Sequence, residues 1–193
     1  MIPFRVGIFT AAICVIINAP AYARWDAKVS GPDVFGGTSV ISVAEGDSPN
    51  NLVVQCNDDD ELIIAYIMPG TEKEINDASD IEIPANLYFK IDDTKPIKLD
   101  VELKMWNKNY LGFVYRHRTT EAVSMIKKIG NAKKKIYIGG EISGNKESSA
   151  FNVDGSTVAM NTVIKKCKLD DIKDSQDEKN QNEQDKEPSS SDQ

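Results

Sequence analysis

Two cysteines, one histidine and a run of adjacent carboxylates are the side chains best suited to chemistry, and their spacing limits what each can do. Cys56 and Cys167 stand 111 residues apart. No C-x-x-C thiol redox motif is present, and with His117 the single histidine the ligand set for zinc is too small. What remains for the two thiols is a cross-link or separate burial. His117 lies between Arg116 and Arg118 in RHRTTE. With no second histidine and no G-x-S-x-G nucleophile turn, it has no partner for acid–base or acyl chemistry. The segment reads as a basic turn ahead of a helix, with Arg116 and Arg118 able to meet an anionic ligand. Asn57-Asp58-Asp59-Asp60-Glu61 places its oxygens contiguously, without the alternation, central glycine and closing glutamate of a calcium loop. It reads as a solvated hairpin turn. Trp106, Tyr110, Phe113 and Tyr115 follow closely on one another and divide between core packing and a surface platform. The candidate binding surface is therefore Trp106, Tyr110, Arg116, His117 and Arg118. No catalytic or metal constellation stands out, and no cofactor is called for.

The fate of the cysteines depends on the compartment, and the first 23 residues address it. Arg5 opens MIPFRVGIFTAAICVIINAPAYA, Val6 to Ile17 form an apolar run, and Ala21-Tyr22-Ala23 is a small-x-small box before Arg24. That is the pattern of a cleavable export signal. The run is too short for a membrane span, which needs roughly 20 residues. Cys14 follows Ile13 in mid-run, which does not suit lipidation. Cleavage leaves Arg24 to Gln193, one domain's worth of chain. In an oxidising compartment an even cysteine count favours a Cys56–Cys167 bridge.

Charge is unevenly distributed. The chain has 23 Lys and Arg against 30 Asp and Glu, a net of −7. Residues 170–193 hold nine of the acids and three lysines, so the stretch 24–169 is nearly neutral. A nucleic-acid surface needs a strong basic field, and Lys127, Lys128, Lys133, Lys134 and Lys135 read instead as a solvated helix end and turn. From Asp174 onward no aliphatic or aromatic residue occurs, so the tail is expected to be disordered.

The elements that must position these groups are mostly short strands. Thr38–Val43, Leu52–Cys56 and Leu62–Ile67 are apolar and β-branched, the last two joined as a hairpin around Asn57–Glu61. Asn86–Ile91 and Leu111–Arg116 read likewise. Ile97–Leu103 alternates strictly, with Ile97, Leu99, Val101 and Leu103 on one face and Lys98, Asp100 and Glu102 on the other, as in a half-exposed antiparallel strand. Lys135–Ile138 and Ala150–Val153 complete the set, the former ending at Gly139-Gly140. Residues 70–84 read as a polar surface excursion. Helical period appears in Thr120–Ile129, stopping at Gly130, and in Ser156–Lys166 with Ser156 as cap. Strands first and helices late favour one mainly β, α+β domain over 24–169. The expectation is an antiparallel sandwich-like structure of six to eight strands with two short helices.

Read as a whole, the chain resembles the VasI-like accessory proteins of bacterial type VI secretion loci. The resemblance rests on Leu52-Val-Val-Gln-Cys-Asn-Asp-Asp-Asp-Glu-Leu, on Leu87-Tyr-Phe-Lys-Ile-Asp-Asp, on Trp106 and Phe113, and on Phe151-Asn-Val-Asp-Gly-Ser-Thr-Val-Ala-Met leading to Cys167. It covers roughly residues 51–168. Lys90 stands where such proteins often carry arginine, and residues 70–84 and the acidic tail have no counterpart. The resemblance implies a periplasmic, disulfide-bridged, non-catalytic accessory protein. The expected function is an exported interaction module with a protein partner in the envelope or host, no nucleic acid and no integral membrane segment. The alternative is an exported hydrolase or hydrolase inhibitor using Asp58 to Glu61, His117 and the Trp106–Tyr115 aromatics.

Overall fold

The computed structural model describes residues 24–31, 38–57, 61–78 and 81–172. The leader over 1–23, the Gly36-Gly37 break, the tip of the acidic turn at 58–60 and the tail beyond 172 lie outside the described residues.

Among the described residues nine strands form one sheet: β1 (Asp26–Ser30), β2 (Ser39–Glu45), β3 (Asn51–Cys56), β4 (Leu62–Pro69), β5 (Ile83–Ile91), β6 (Ile97–Asn107), β7 (Tyr110–Tyr115), β8 (Ile136–Ile142) and β9 (Asn145–Phe151). Their order across the sheet is β1-β2-β3-β4-β7-β6-β5-β8-β9, and every pairing is antiparallel. The mainly antiparallel expectation holds, but as one curled sheet instead of two stacked ones. Backbone bonds bridge its two ends: Trp25 N–H donates to the Asp154 carbonyl, and Asp47 N–H to that of Ala150. The Trp25 indole N–H also donates to the Asn152 carbonyl at 2.7 Å.

Period two decides which face is covered. Leu52, Val54, Leu62, Ile64, Leu87, Phe89, Leu99, Phe113, Ile138 and Phe151 all point to the concave side and belong to one buried cluster. The alternation predicted in Ile97–Leu103 appears as a buried Leu99, Val101 and Leu103. The predicted hairpin pairs Val54 with Ile64 and Cys56 with Leu62. A smaller cluster of Val53, Ile63, Ala65, Ile67 and Val114 lies on the other face of the central strands.

Helices α2 (Thr120–Asn131) and α3 (Ser156–Lys166) pack on each other and fill part of the concavity. Thr119 caps α2, its hydroxyl accepting from Ala122 N–H. Gly130 does not stop this helix but lies within it: a Cβ there would come 3.0 Å from Met160 Cβ, so the glycine permits the α2–α3 approach. The N-cap of α3 is Gly155, at φ 84°, and not Ser156, whose buried hydroxyl has no partner. The buried side of α3 is Ala159, Met160, Val163 and Ile164, and Val158 is 73% exposed. The segment expected to be a plain surface excursion contains a third helix, α1 (Glu72–Asp77), held by a capping box between Thr71 and Glu74 and anchored by buried Ile75. Gly139-Gly140 lies inside β8 and does not end it; Gly140 is required because the Phe113 ring would stand 2.3 Å from any Cβ.

Cys56 and Cys167 are joined, with Cα atoms 6.0 Å apart. The bond ties the end of β3 to the C-terminus of α3. Arg118 reinforces it by donating to the Cys167 and Lys168 carbonyls at 2.6 and 2.9 Å. The α2–β8 turn has a separate anchor. Asp92, at φ 52°, accepts the backbone N–H groups of Lys133, Lys134 and Lys135. Lys133–Lys135 thus form a turn organised around one carboxylate, with Lys134 also paired to Asp93, while Lys127 and Lys128 lie on α2.

Replacing both cysteines by alanine is expected to lower the unfolding free energy by about 2–5 kcal/mol, measured by urea denaturation. The Lys133 and Lys134 backbone N–H groups hold the Asp92 carboxyl below its ordinary value. Its stabilisation is therefore complete above the unfolded carboxylate value of about 3.9 and is lost as pH falls through the lower folded value. Thermal melts between pH 7 and 2 should show Asp92→Ala less stable at neutrality and less sensitive to the final fall in pH.

Candidate functional site

The five residues proposed as a binding surface do not converge. Trp106, on the outer face, packs against the smaller apolar cluster and over Gly112. Tyr110 is half-buried at the start of β7, opposite Asn107 and Pro69. Arg116, His117 and Arg118 follow the other end of β7, about 20 Å away at roughly 3.4 Å per residue. Each has a local engagement there. Arg116 pairs with Glu61 at 2.8 Å, His117 sets its ring edgewise against Tyr115 at 5.3 Å, and Arg118 binds the end of α3. The positive charge of the motif is engaged in holding the hairpin and the last helix.

The structure instead opens a cavity of about 400 Å³ on the concave side, between α1 and β9. It exists because α3 packs over β1–β3 and α2 lies against α3 at the strand ends near Tyr115 and Asp92, which leaves the opposite end, at Ile83, Leu111 and Ile142, unfilled. Its floor is apolar: Met68 from β4, Ile83 from β5, Leu103 from β6, Leu111 and Phe113 from β7, and Ile142 from β8. The bare Gly140 leaves room for the Phe113 ring at the base. The rim is charged. Glu74 and Asp77 approach from α1, and Asn145, Lys146 and Glu147 from β9. Bonds from the Thr71 backbone N–H and then its hydroxyl hold the Glu74 carboxyl below its usual range. Asp77 is paired with exposed Lys73 at 3.4 Å and the Lys146 ammonium turns to Glu141 at 3.8 Å, so Glu74 and Glu147 leave the mouth mildly acidic above an apolar floor. This volume and lining fall within the range of ligand-binding clefts.

Behind Glu147 lies a buried polar knot that closes the curl. The Asn50 amide donates to the Tyr66 hydroxyl at 2.7 Å and to Ser149 Oγ at 3.0 Å, with a longer reach of 3.4 Å to Glu147. Ser149 is also 2.9 Å from the Tyr66 hydroxyl and 2.6 Å from Ser48 Oγ. Asn50 sits in the β2–β3 turn and Ser149 on β9, so the knot joins distant parts of the sheet. Burial pushes the Tyr66 phenol above its ordinary value, against the lowering effect of its bonds to Ser149 and Asn50.

Of the cavity residues, sequence reasoning drew out Phe113 as one of the clustered aromatics, Leu103 through its alternation and Gly140 as a strand break, but it did not join them into a site. The available signals were the Thr71-x-x-Glu74 capping box and the change within Asn145–Phe151 from polar to apolar residues. Among the described residues no group of three His, Cys, Asp or Glu is placed to hold a metal ion. No described helix is long and apolar enough to cross a membrane. No protein family, curated protein or solved structure matches the chain.

Tyr66→Phe is expected to cost about 1–3 kcal/mol, because it leaves Asn50 and Ser149 without their shared partner. The raised phenol contributes stability that is full below about pH 10 and lost as pH rises through its higher folded value. Denaturation from pH 8 to 12 should therefore show a smaller alkaline loss for Tyr66→Phe than for the parent.

Proposed function

We propose that this chain is an exported, non-catalytic interaction protein that holds an apolar side chain of a protein partner in the cavity between α1 and β9. The observation that carries the reading is the pairing of an apolar floor at Leu111, Phe113 and Ile142 with the carboxylates Glu74, Asp77 and Glu147 at the mouth. An occupant that matches both parts has an apolar group for the floor and a cationic neighbour for the rim. Charge at the mouth steers such a partner and selects its orientation, and burial of the apolar group supplies most of the affinity. Each fully buried aliphatic side chain contributes about 1.5–3 kcal/mol before the cost of association is counted.

The setting follows from the cysteines and the leader. A long-range disulfide suits a protein that folds outside a reducing cytosol, and the Arg5-to-Ala23 signal pattern supplies the route. The partner is then an envelope or host protein. The resemblance to VasI-like accessory proteins favours a secretion locus among such settings.

Photocrosslinking in the native cells tests the reading. With a photoreactive residue at Asp77 or Ile142, the oxidised chain beginning at Arg24 is expected in the periplasmic or secreted fraction. It should form one discrete adduct, which Leu111→Lys abolishes. A reduced chain retaining Met1 in the cytosol would overturn the proposal, as would equal adduct formation from Lys28 on the far edge strand.

A further inference from the structure

The cavity does not stand alone: it borders the exposed half of an edge strand. Among the described residues β9 pairs only with β8, and its burial changes abruptly along its length. Asn145, Lys146, Glu147 and Ser148 are exposed, whereas Ser149, Ala150 and Phe151 are buried. The cause of the change is the β2–β3 turn. Asp47 caps the far side of β9 at Ala150, donating its N–H to the Ala150 carbonyl and accepting the Ala150 N–H on its carboxylate, both at 2.9 Å. Both backbone groups of Ala150 therefore point away from β8. Backbone groups in a strand alternate sides with period two, so those of Ser148 and Lys146 also point away from β8. Beyond Asp47 no described backbone group meets them.

The same alternation places the side chains. Asn145 and Glu147 turn their side chains to the concave side, whereas Lys146, which borders the cavity, sends its ammonium outward to Glu141, and Ser148 faces outward with it. The Lys146 ammonium is drawn toward Glu141 on β8, 3.8 Å away, and so leaves the edge uncovered. A strand laid beside Asn145–Ser148 would send every second side chain to the concave side, next to Glu147 and over the cavity mouth.

We propose that the partner is bound as an added strand: an extended segment pairs with the free edge of β9 over Asn145–Ser148 and sends an apolar side chain, flanked by a cationic one, into the cavity. This inference rests on the cavity reading above and names the form of its occupant. Backbone bonds to Lys146 and Ser148 give affinity that is indifferent to sequence, and the cavity and its carboxylates select the side chains. Asp47 fixes the register by blocking extension past Ser149. An acidic mouth set on an exposed edge is a device for accepting one class of strand and rejecting others, since a segment carrying carboxylates on its concave face would meet Glu74, Asp77 and Glu147.

The test uses the oxidised chain, the probe peptide acetyl-Lys-Thr-Leu-Thr-Leu-Thr-Lys-amide and octylammonium. The peptide has its apolar and cationic residues on one face; octylammonium carries an apolar chain and a cation with no backbone. Two versions of the peptide are N-methylated, one at the threonine amides and one at the leucine amides, so that each blocks one side of the strand. Binding is read by calorimetry. Strand addition predicts that one version loses about tenfold or more in affinity while the other stays close to the parent, because only one set of amides faces β9. Ser148→Pro removes an outward N–H that the β8–β9 ladder does not use. It should weaken the peptide in the same way and leave octylammonium binding and the melting temperature nearly unchanged. Equal affinity of both methylated versions would overturn strand addition, and so would peptide binding insensitive to Ser148→Pro. In either case, binding of octylammonium that Leu111→Lys abolishes would leave the cavity reading standing. Failure of both peptide and octylammonium to bind at about 1 mM, the upper end of specific affinities, would overturn the two together.

Discussion

A nine-stranded sheet with one apolar face must hide that face, and the two long helices of this chain are too small to do it alone. Nine strands at about 4.8 Å spacing span roughly 40 Å across the hydrogen bonds, whereas twelve residues of α2 reach about 18 Å. Curling resolves part of the mismatch. The sheet bends until the β2–β3 turn meets β9, where Asp47 and Ala150 exchange bonds and Asn50 ties Tyr66 to Ser149. Helix α3 fills the concavity over β1–β3, and α2 packs on it at the strand ends near Tyr115 and Asp92. The remainder stays open between α1 and β9. The cavity is thus a consequence of how the apolar face is covered: a longer α1 would close it.

The disulfide acts on the same problem from the other end. Helix α3 makes its closest contacts with β1, β2 and α2, and nothing but a short 3-10 turn at Leu169–Asp171 follows it among the described residues. Joining Cys167 to Cys56 turns a terminal helix into a closed loop across the sheet, and Arg118 secures the last carbonyls from the α2 side. Thermal fraying of α3 would expose Met160, Val163 and the Gly130 crossing together, so the cross-link protects the covered half of the concavity. At the opposite end the protection is noncovalent, provided by a knot of neutral polar groups that tolerates a neighbouring open cavity.

Sequence patterning reveals the sheet better than it reveals the site, for physical reasons. Alternation is a direct signature of a face, so β6 was legible from Ile97 to Leu103 and the β3–β4 hairpin from its two apolar runs. The misread positions are those where a residue serves a distant contact. Gly130 and Gly140 look like breaks locally, but they are small because Met160 and Phe113 press against them. β1 was overlooked because Asp26–Ser30 is an exposed edge with little apolar content. Helix α1 was overlooked because it buries mainly Ile75 and Ala78, although its Thr71–Glu74 capping box was present to be read. Arg116, His117 and Arg118 drew attention as neighbours in the chain. In the fold they point to three separate structures, since consecutive residues leaving a strand end diverge.

The cavity was illegible for a related reason. Its floor takes single residues from β4, β5, β6, β7 and β8, spread between Met68 and Ile142, and each one alternates as any core residue would. No local pattern distinguishes a buried Leu103 that packs under a helix from one that faces an opening. The difference lies in what fails to cover it, which depends on helix length and sheet curvature. The rim has the same character. Glu74, Asp77 and Glu147 are ordinary surface acids in sequence, and the body of the chain is almost neutral. Their effect comes from convergence over an apolar surface, where the lower dielectric strengthens their field on anything that enters. A nearly uncharged domain can therefore present an acidic mouth, and the segregation that matters for recognition is spatial.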